Sequence, residues 1–229
     1  MLQQTQVDRV IPKFEAFTAK FPTVEALASA PLAEVLQLWN GLGYNRRAKY
    51  LHDAAKMAMG EFDGVFPRVR ETLRQLPGVG EGTSGAIAVY AFNQPEVFIE
   101  TNVRTVFFHH FFTEGDKVDD REIAALLEKV LDKENPREFY WALMDYGTWL
   151  KKQGAGKITQ SRHYKKQSPL KGSLREMRGM IVRLLAEKDY DVSALEARYT
   201  HDERFLPALA GLERDGLVGR MGAKLHLTK

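Results

Sequence analysis

The chain has 229 residues, of which 44% are hydrophobic, with a formal charge of +3 and a pI near 9, which is enough to bury a substantial core in one domain or two modest ones. It contains no cysteine, which excludes disulfides, thiolate chemistry and any cysteine-ligated zinc or iron–sulfur cluster, so neither a metal nor a cofactor is expected. Nothing resembles a secretory signal and no apolar run is long enough to cross a bilayer, so a soluble, cytoplasmic protein with no membrane partner is expected.

Val7, Val10, Ile11, Phe14 and Phe17 recur at helical spacing and predict a first helix. Two short helices are predicted from Thr23-Val24-Glu25 and Pro31-Leu32-Ala33, with Thr23 and Ser29 as cap residues. The same periodicity, punctuated by prolines and glycines, predicts helices over about 45–60, 68–75, 82–92, 101–112, 119–132 and 136–151. A basic stretch follows, in which Lys151, Lys152, Lys157, Arg162, Lys165, Lys166, Lys171, Arg175 and Arg178 meet a single acid, Glu176. That asymmetry suits either a polyanion contacted through its phosphates or a solvated linker. Helices are then predicted over Ser173 to Lys188, Val192 to Tyr199 and Asp202 to Arg214, and a two-stranded hairpin over Leu217-Val218 and Lys224 to Leu227. Three helices and a ribbon fit a winged helix-turn-helix module whose third helix enters a major groove. Asp202 and Glu203 would repel phosphate there, so a packing or protein-contact module is the equal alternative. The expected class is all-α, divided into 1–152, a basic linker 153–172, and a winged-helix-like module 173–229.

Leu76-Pro77-Gly78-Val79-Gly80 joins two helical patterns, and Thr83-Ser84-Gly85 follows within the second. Two glycines bracketing a small apolar residue let the backbone turn tightly and expose amides at a helix N-terminus, where a phosphate fits; plain helix packing is the alternative. An acid follows in Ile99-Glu100-Thr101-Asn102-Val103-Arg104. Earlier come Met1-Leu2-Gln3-Gln4-Thr5-Gln6-Val7 and Gly41-Leu42-Gly43-Tyr44. This ordered set resembles the helix-hairpin-helix DNA glycosylases with a Gly/Pro-rich loop and a trailing acid, endonuclease III among them, and specifically the MutY-type adenine glycosylases. The likeness covers about residues 1–150.

The resemblance implies a helix-hairpin-helix glycosylase fold and a monomer that acts on double-stranded DNA carrying a mismatched or damaged base. Cleaving an N-glycosidic bond puts positive charge on the sugar, so a carboxylate is needed beside it, and the base must first be extruded from the stack. Glu100 holds the position of the family's catalytic acid, which is usually aspartate; a helix-end acid is the alternative reading. Gln4 and Tyr44 match residues that wedge into the duplex, with Thr5 and Leu42 beside them; a half-buried core aromatic is the alternative for Tyr44. Gly78, Val79, Gly80 and Thr83 would grip phosphate, Asn102 would touch phosphate or hold its loop, and Lys165 and Lys166 would contact the backbone. Gly82 stands where bifunctional relatives place a Schiff-base lysine, which implies a monofunctional enzyme.

The cysteines that hold an iron–sulfur cluster in many relatives are missing, and the region from Ser173 does not resemble the domain with which MutY-type enzymes recognise 8-oxoguanine. The family's general acid is a glutamate two residues before the Met of the first motif, which is Met1 here. Either the first helix is truncated and this chain alone is weak or inactive, or the protein is a catalytically impaired DNA binder. Adenine opposite guanine or 8-oxoguanine is the expected substrate, with thymine or uracil in a G mismatch as the alternative.

Overall fold

The structure is a computed structural model that describes residues 1–3 and 5–228. Its helices are α1 (Val7–Lys20), α2 (Val24–Ser29), α3 (Leu32–Trp39), α4 (Arg46–Glu61), α5 (Arg70–Leu73), α6 (Glu81–Phe92), α7 (Thr101–Phe111), α8 (Asp120–Val130), α9 (Pro136–Lys152), α10 (Leu174–Glu187), α11 (Val192–Arg198) and α12 (Phe205–Arg214). Three short strands, β1 (Tyr190–Asp191), β2 (Val218–Met221) and β3 (Lys224–Leu227), form an antiparallel sheet in the order β1-β3-β2. The fold is thus mostly helical, as the periodicity predicts. No helix among the described residues is long and apolar enough to cross a membrane.

The chain divides into two compact units. The first comprises Met1–Phe66, Leu76–Gly78 and Ser168–Lys229. Its core joins Val10 and Phe17 of α1, Val35, Leu36 and Trp39 of α3, Met177 and Ile181 of α10, Leu209 and Leu212 of α12, and Leu225 and Leu227 of β3. The segment expected as a separate module over 173–229 therefore shares one apolar core with the N-terminal helices. α1 buries Val10 and Phe17 but leaves Val7, Ile11 and Phe14 exposed, so only part of its apolar pattern faces this core. Thr23 caps α2 by accepting from the Ala26 amide at 3.1 Å. Ser29 caps nothing: it is the last residue of α2, and Pro31 precedes α3. The expected two-stranded hairpin gains β1, which is two residues long and gives no alternation to detect.

The second unit, Pro67–Gln75 and Val79–Gln167, packs α5 to α9 around Phe98, Val103, Phe107, Phe108, Ile123, Leu127 and Tyr140. Tyr140 stacks on Phe98 with ring centroids 4.1 Å apart, and its hydroxyl accepts from the Phe98 amide at 3.0 Å. Burial pushes this phenol up to about 12. Gly147 lets α9 lie directly on α7, since a Cβ there would fall 2.7 Å from both the Asn102 carbonyl oxygen and its Cβ. The expected linker over 153–172 is only partly one. Val118 pairs with Ser161, Gln160 Nε2 donates to the Thr113 carbonyl at 3.0 Å, and both Gln160 and Ser161 are buried. The buried Gln160 side chain and the Val118–Ser161 bridge hold this stretch down, and exposed chain begins at Arg162.

Candidate nucleic-acid interface and catalytic carboxylate

Glu100 is the N-cap of α7, in extended backbone (φ −127°, ψ −177°). Its Oε1 accepts from the amides of Asn102 at 2.5 Å and Val103 at 3.2 Å, so the helix end fixes the carboxylate in place. The side chain is half-buried, and three titratable groups feel its charge. Burial pushes the Tyr90 phenol up to about 12, with Glu100 adding to the shift. Burial lowers the Lys151 ammonium and Glu100 partly offsets it. The Arg104 guanidinium is raised chiefly by Asp120, which takes Nε at 2.8 Å and Nη2 at 2.6 Å.

Lys151 Nζ donates to Asn102 Oδ1, while Asn102 Nδ2 faces Met144 Sδ at 3.5 Å. Both ends of that amide are therefore engaged within the unit, which favours the loop-holding reading of Asn102 over a phosphate contact. An iron–sulfur cluster does not fit, because Lys151 and Lys152 end α9 and the chain has no thiolate to supply.

α6 begins differently. Its N-cap is Gly80, and no side chain caps it. The carboxylate of Glu81, the first helical residue, is neutralised by Arg70 at 2.7 Å and Arg74 at 3.0 Å, and Arg70 also binds Glu96 at 2.8 Å. Ser84 turns its hydroxyl to the Glu81 carbonyl at 2.9 Å, and Thr83 is half-buried beside it. The chain passes from the first unit to the second between Gly78 and Val79, the latter half-buried. Gly78 has φ +76°, and a Cβ there would lie 2.6 Å from Tyr50, so glycine is required on both counts.

In the first unit, Gly41-Leu42-Gly43-Tyr44 forms a tight turn with φ of +92° at Gly41, +74° at Gly43 and +50° at Tyr44. Trp39 Nε1 donates to the Gly43 carbonyl at 3.0 Å, Thr5 Oγ1 to the Leu42 carbonyl at 3.5 Å, and Arg9 to the Gly41 carbonyl. Leu42 was expected at the DNA surface; its side chain is 5% exposed and anchors the turn in the core instead. Tyr44 stands out from the turn, 36% exposed. Gln4 lies outside the described residues. Lys165 and Lys166 are exposed on the stretch that begins at Arg162.

Each unit thus gathers part of the expected set: Thr5, Leu42, Tyr44 and Gly78 in the first, and Val79, Gly80, Thr83, Glu100 and Asn102 in the second. Sequence reasoning gave no site role to Lys151, Arg70 or Arg175. Only the excess of positive charge from Lys151 to Arg178 pointed toward two of them.

Residues 1–133 match the HhH-GPD superfamily of base excision DNA repair proteins. Among similar proteins, the adenine DNA glycosylase of Buchnera aphidicola subsp. Baizongia pistaciae is 35% identical over 151 residues, covering 64% of this chain and 42% of that protein. The human adenine DNA glycosylase is 40% identical over 151 residues, covering 64% and 28% respectively. That of Mycobacterium tuberculosis strain H37Rv is 31% identical over 242 residues, covering 96% and 80%. The chain thus spans less than half the length of the first two relatives. Among solved structures, a thermostable thymine-DNA glycosylase superposes with a TM-score of 0.58 at 25% identity, covering 64% of this chain and 69% of that one. A trapped endonuclease III–DNA covalent intermediate gives a TM-score of 0.55 at 26% identity, with 73% of each chain covered.

Proposed function

Since the chain belongs to the HhH-GPD superfamily of base excision DNA repair proteins, we propose that it is a monofunctional DNA N-glycosylase that releases adenine mispaired with guanine or 8-oxoguanine. The supporting relatives are adenine DNA glycosylases, and the observation that carries the reading to residues is the Glu100 carboxylate, fixed by two backbone amides at the start of α7. In hydrolysis the bond from the sugar to the base breaks with its electron pair leaving on adenine, which takes up a proton. Water bonds to the sugar carbon and gives up a proton. Positive charge builds on the sugar between these events, and a carboxylate that is already oriented stabilises it without reorganising. Extrusion of the base comes first, with Tyr44 filling part of the vacated stack and offsetting some of the unstacking cost.

Binding precedes chemistry. The uncapped amides of α6 and the exposed lysines 165 and 166 supply sequence-independent attraction for phosphate. Residues 174–227, three helices and a three-stranded sheet, are read as a winged-helix-like module built into the first unit.

The test is release of free adenine from duplexes carrying adenine opposite 8-oxoguanine or guanine, with an adenine–thymine duplex as control. Release from the mismatched duplexes alone supports the proposal. The likeness to a thymine-DNA glycosylase favours one second reading, release of thymine or uracil opposite guanine. Binding with no base released from any of these duplexes, even by a chain extended upstream of Met1 to supply the family's general acid, would make the protein a DNA binder only.

A further inference from the structure

We infer that Arg175 is a positioning residue for the Tyr44 wedge, so that the C-terminal segment, beyond residues 1–133, takes part in mismatch discrimination. The inference rests on the reading of Tyr44 as the residue that enters the duplex. Arg175 and Tyr44 are 131 residues apart in sequence and both belong to the first unit. Arg175 Nη1 donates to the Tyr44 hydroxyl at 2.9 Å, the guanidinium carbon lies 5.4 Å from the ring centroid, and Nη2 donates to the Ser168 carbonyl at 3.3 Å. The arginine thus grips the ring by its face and its hydroxyl together, which a planar fork does and an ammonium does not.

Both partners are set on rigid supports. Arg175 sits in the first turn of α10, where Ser173 Oγ accepts from the Glu176 amide at 3.2 Å. The Glu176 carboxylate in turn accepts from the Gly172 amide and from Arg204, each at 2.8 Å. Tyr44 follows two glycines of positive φ and itself adopts φ +50°, a conformation that an L side chain rarely takes. Such a turn aims the ring outward, and the arginine restricts what rotation remains. A wedge that is ordered before it meets DNA loses less freedom on insertion, and the saving appears only on duplexes whose stack it enters.

The experiment compares affinities of the whole chain for two duplexes at one salt concentration, one carrying a tetrahydrofuran abasic residue opposite guanine and the other fully paired. The ratio read is the dissociation constant for the paired duplex divided by that for the abasic one, for wild type, Tyr44→Ala, Arg175→Ala, Arg175→Lys and the Tyr44→Ala/Arg175→Ala double variant. Tyr44→Ala should lower the ratio by about tenfold, and both Arg175 variants by about three- to tenfold. The double variant should be no worse than Tyr44→Ala alone, because the two residues act as one. Arg175→Lys keeps the charge, so its salt dependence should match wild type while its ratio falls.

A wild-type ratio in Arg175→Lys, or equal losses on both duplexes in Arg175→Ala, would reduce Arg175 to a phosphate contact and overturn the inference. A raised ratio in Arg175→Ala would overturn it in favour of a latch that holds the tyrosine back. If Tyr44→Ala itself leaves the ratio unchanged, the wedge reading fails and takes this inference with it.

Discussion

Helices α6 and α7 lie in the same unit and begin in opposite ways. α7 is closed by its own chain: Glu100 takes the amides of Asn102 and Val103 on one carboxylate oxygen. α6 starts at Gly80, with no capping side chain and with the acid at its first position already paired to two arginines. A helix end satisfied from within presents the chemistry of its cap, whereas one left open presents amides to whatever anion arrives. The two helix starts of one unit thus differ: α7 holds a charge of its own, and α6 has no capping side chain at Gly80.

The largest expected effect comes from neutralising the cap of α7. In a chain extended upstream to supply the family's general acid, Glu100→Gln keeps the shape and still accepts the amides, so helicity should hold while base release falls by about 100-fold or more. Equal rates for variant and wild type, measured as free adenine, would leave Glu100 a helix cap and nothing else. Next, Gly147→Ala pushes a methyl group against the Asn102 backbone and should cost about 1–3 kcal/mol in denaturant unfolding by overpacking. It should also displace the segment that carries Glu100, and an undiminished rate would show that the cap does not depend on how α9 seats α7.

Gly80→Asp converts the open end into a closed one. The position has room for a Cβ and a φ of −92°, so the variant should gain a few tenths of a kcal/mol in stability. Its added charge should weaken duplex binding by about tenfold. Unchanged affinity in a titration would mean that α6 does not meet phosphate. The smallest effect is expected from Lys165→Ala/Lys166→Ala, which should flatten the slope of log K against log salt by about one to two units. An unchanged slope would make that exposed stretch a mere connection.

Much of this was legible from the sequence because local rules set it. Helix periods place α4 to α12 within a few residues, glycine spacing places both tight turns, and the Ile99-Glu100-Thr101-Asn102 order places the acid at a helix start. What could not be read is what each element packs against. Periodicity says that Met177 and Ile181 are buried but not that Leu36 and Trp39 are in the same core. The partners Lys151 and Asn102 are 49 residues apart and joined by side chains alone, which leaves no periodic trace. Leu42 was misjudged for a related reason: a residue between two exposed glycines invites a surface role, yet the turn directs its side chain inward. The stretch around Gln160 reads as basic linker because charge dominates its composition, while one side-chain amide bonded to the Thr113 carbonyl and one backbone bridge to Val118 tie it to the second unit.

The first unit is assembled from both ends of the chain, and the second is almost wholly contained between them. During synthesis, therefore, α5 to α9 are all available to pack around Phe98 and Tyr140 before α10 has been made. By contrast, α1 and α3 must wait for Met177, Ile181 and Leu225 to cover Val35 and Leu36. Contacts across such separations form late and slowly, since loop closure precedes their reward. A nascent chain halted near residue 167 would carry one complete core and the exposed half of another. That half stays exposed until α10, α12 and β3 are made and can cover it.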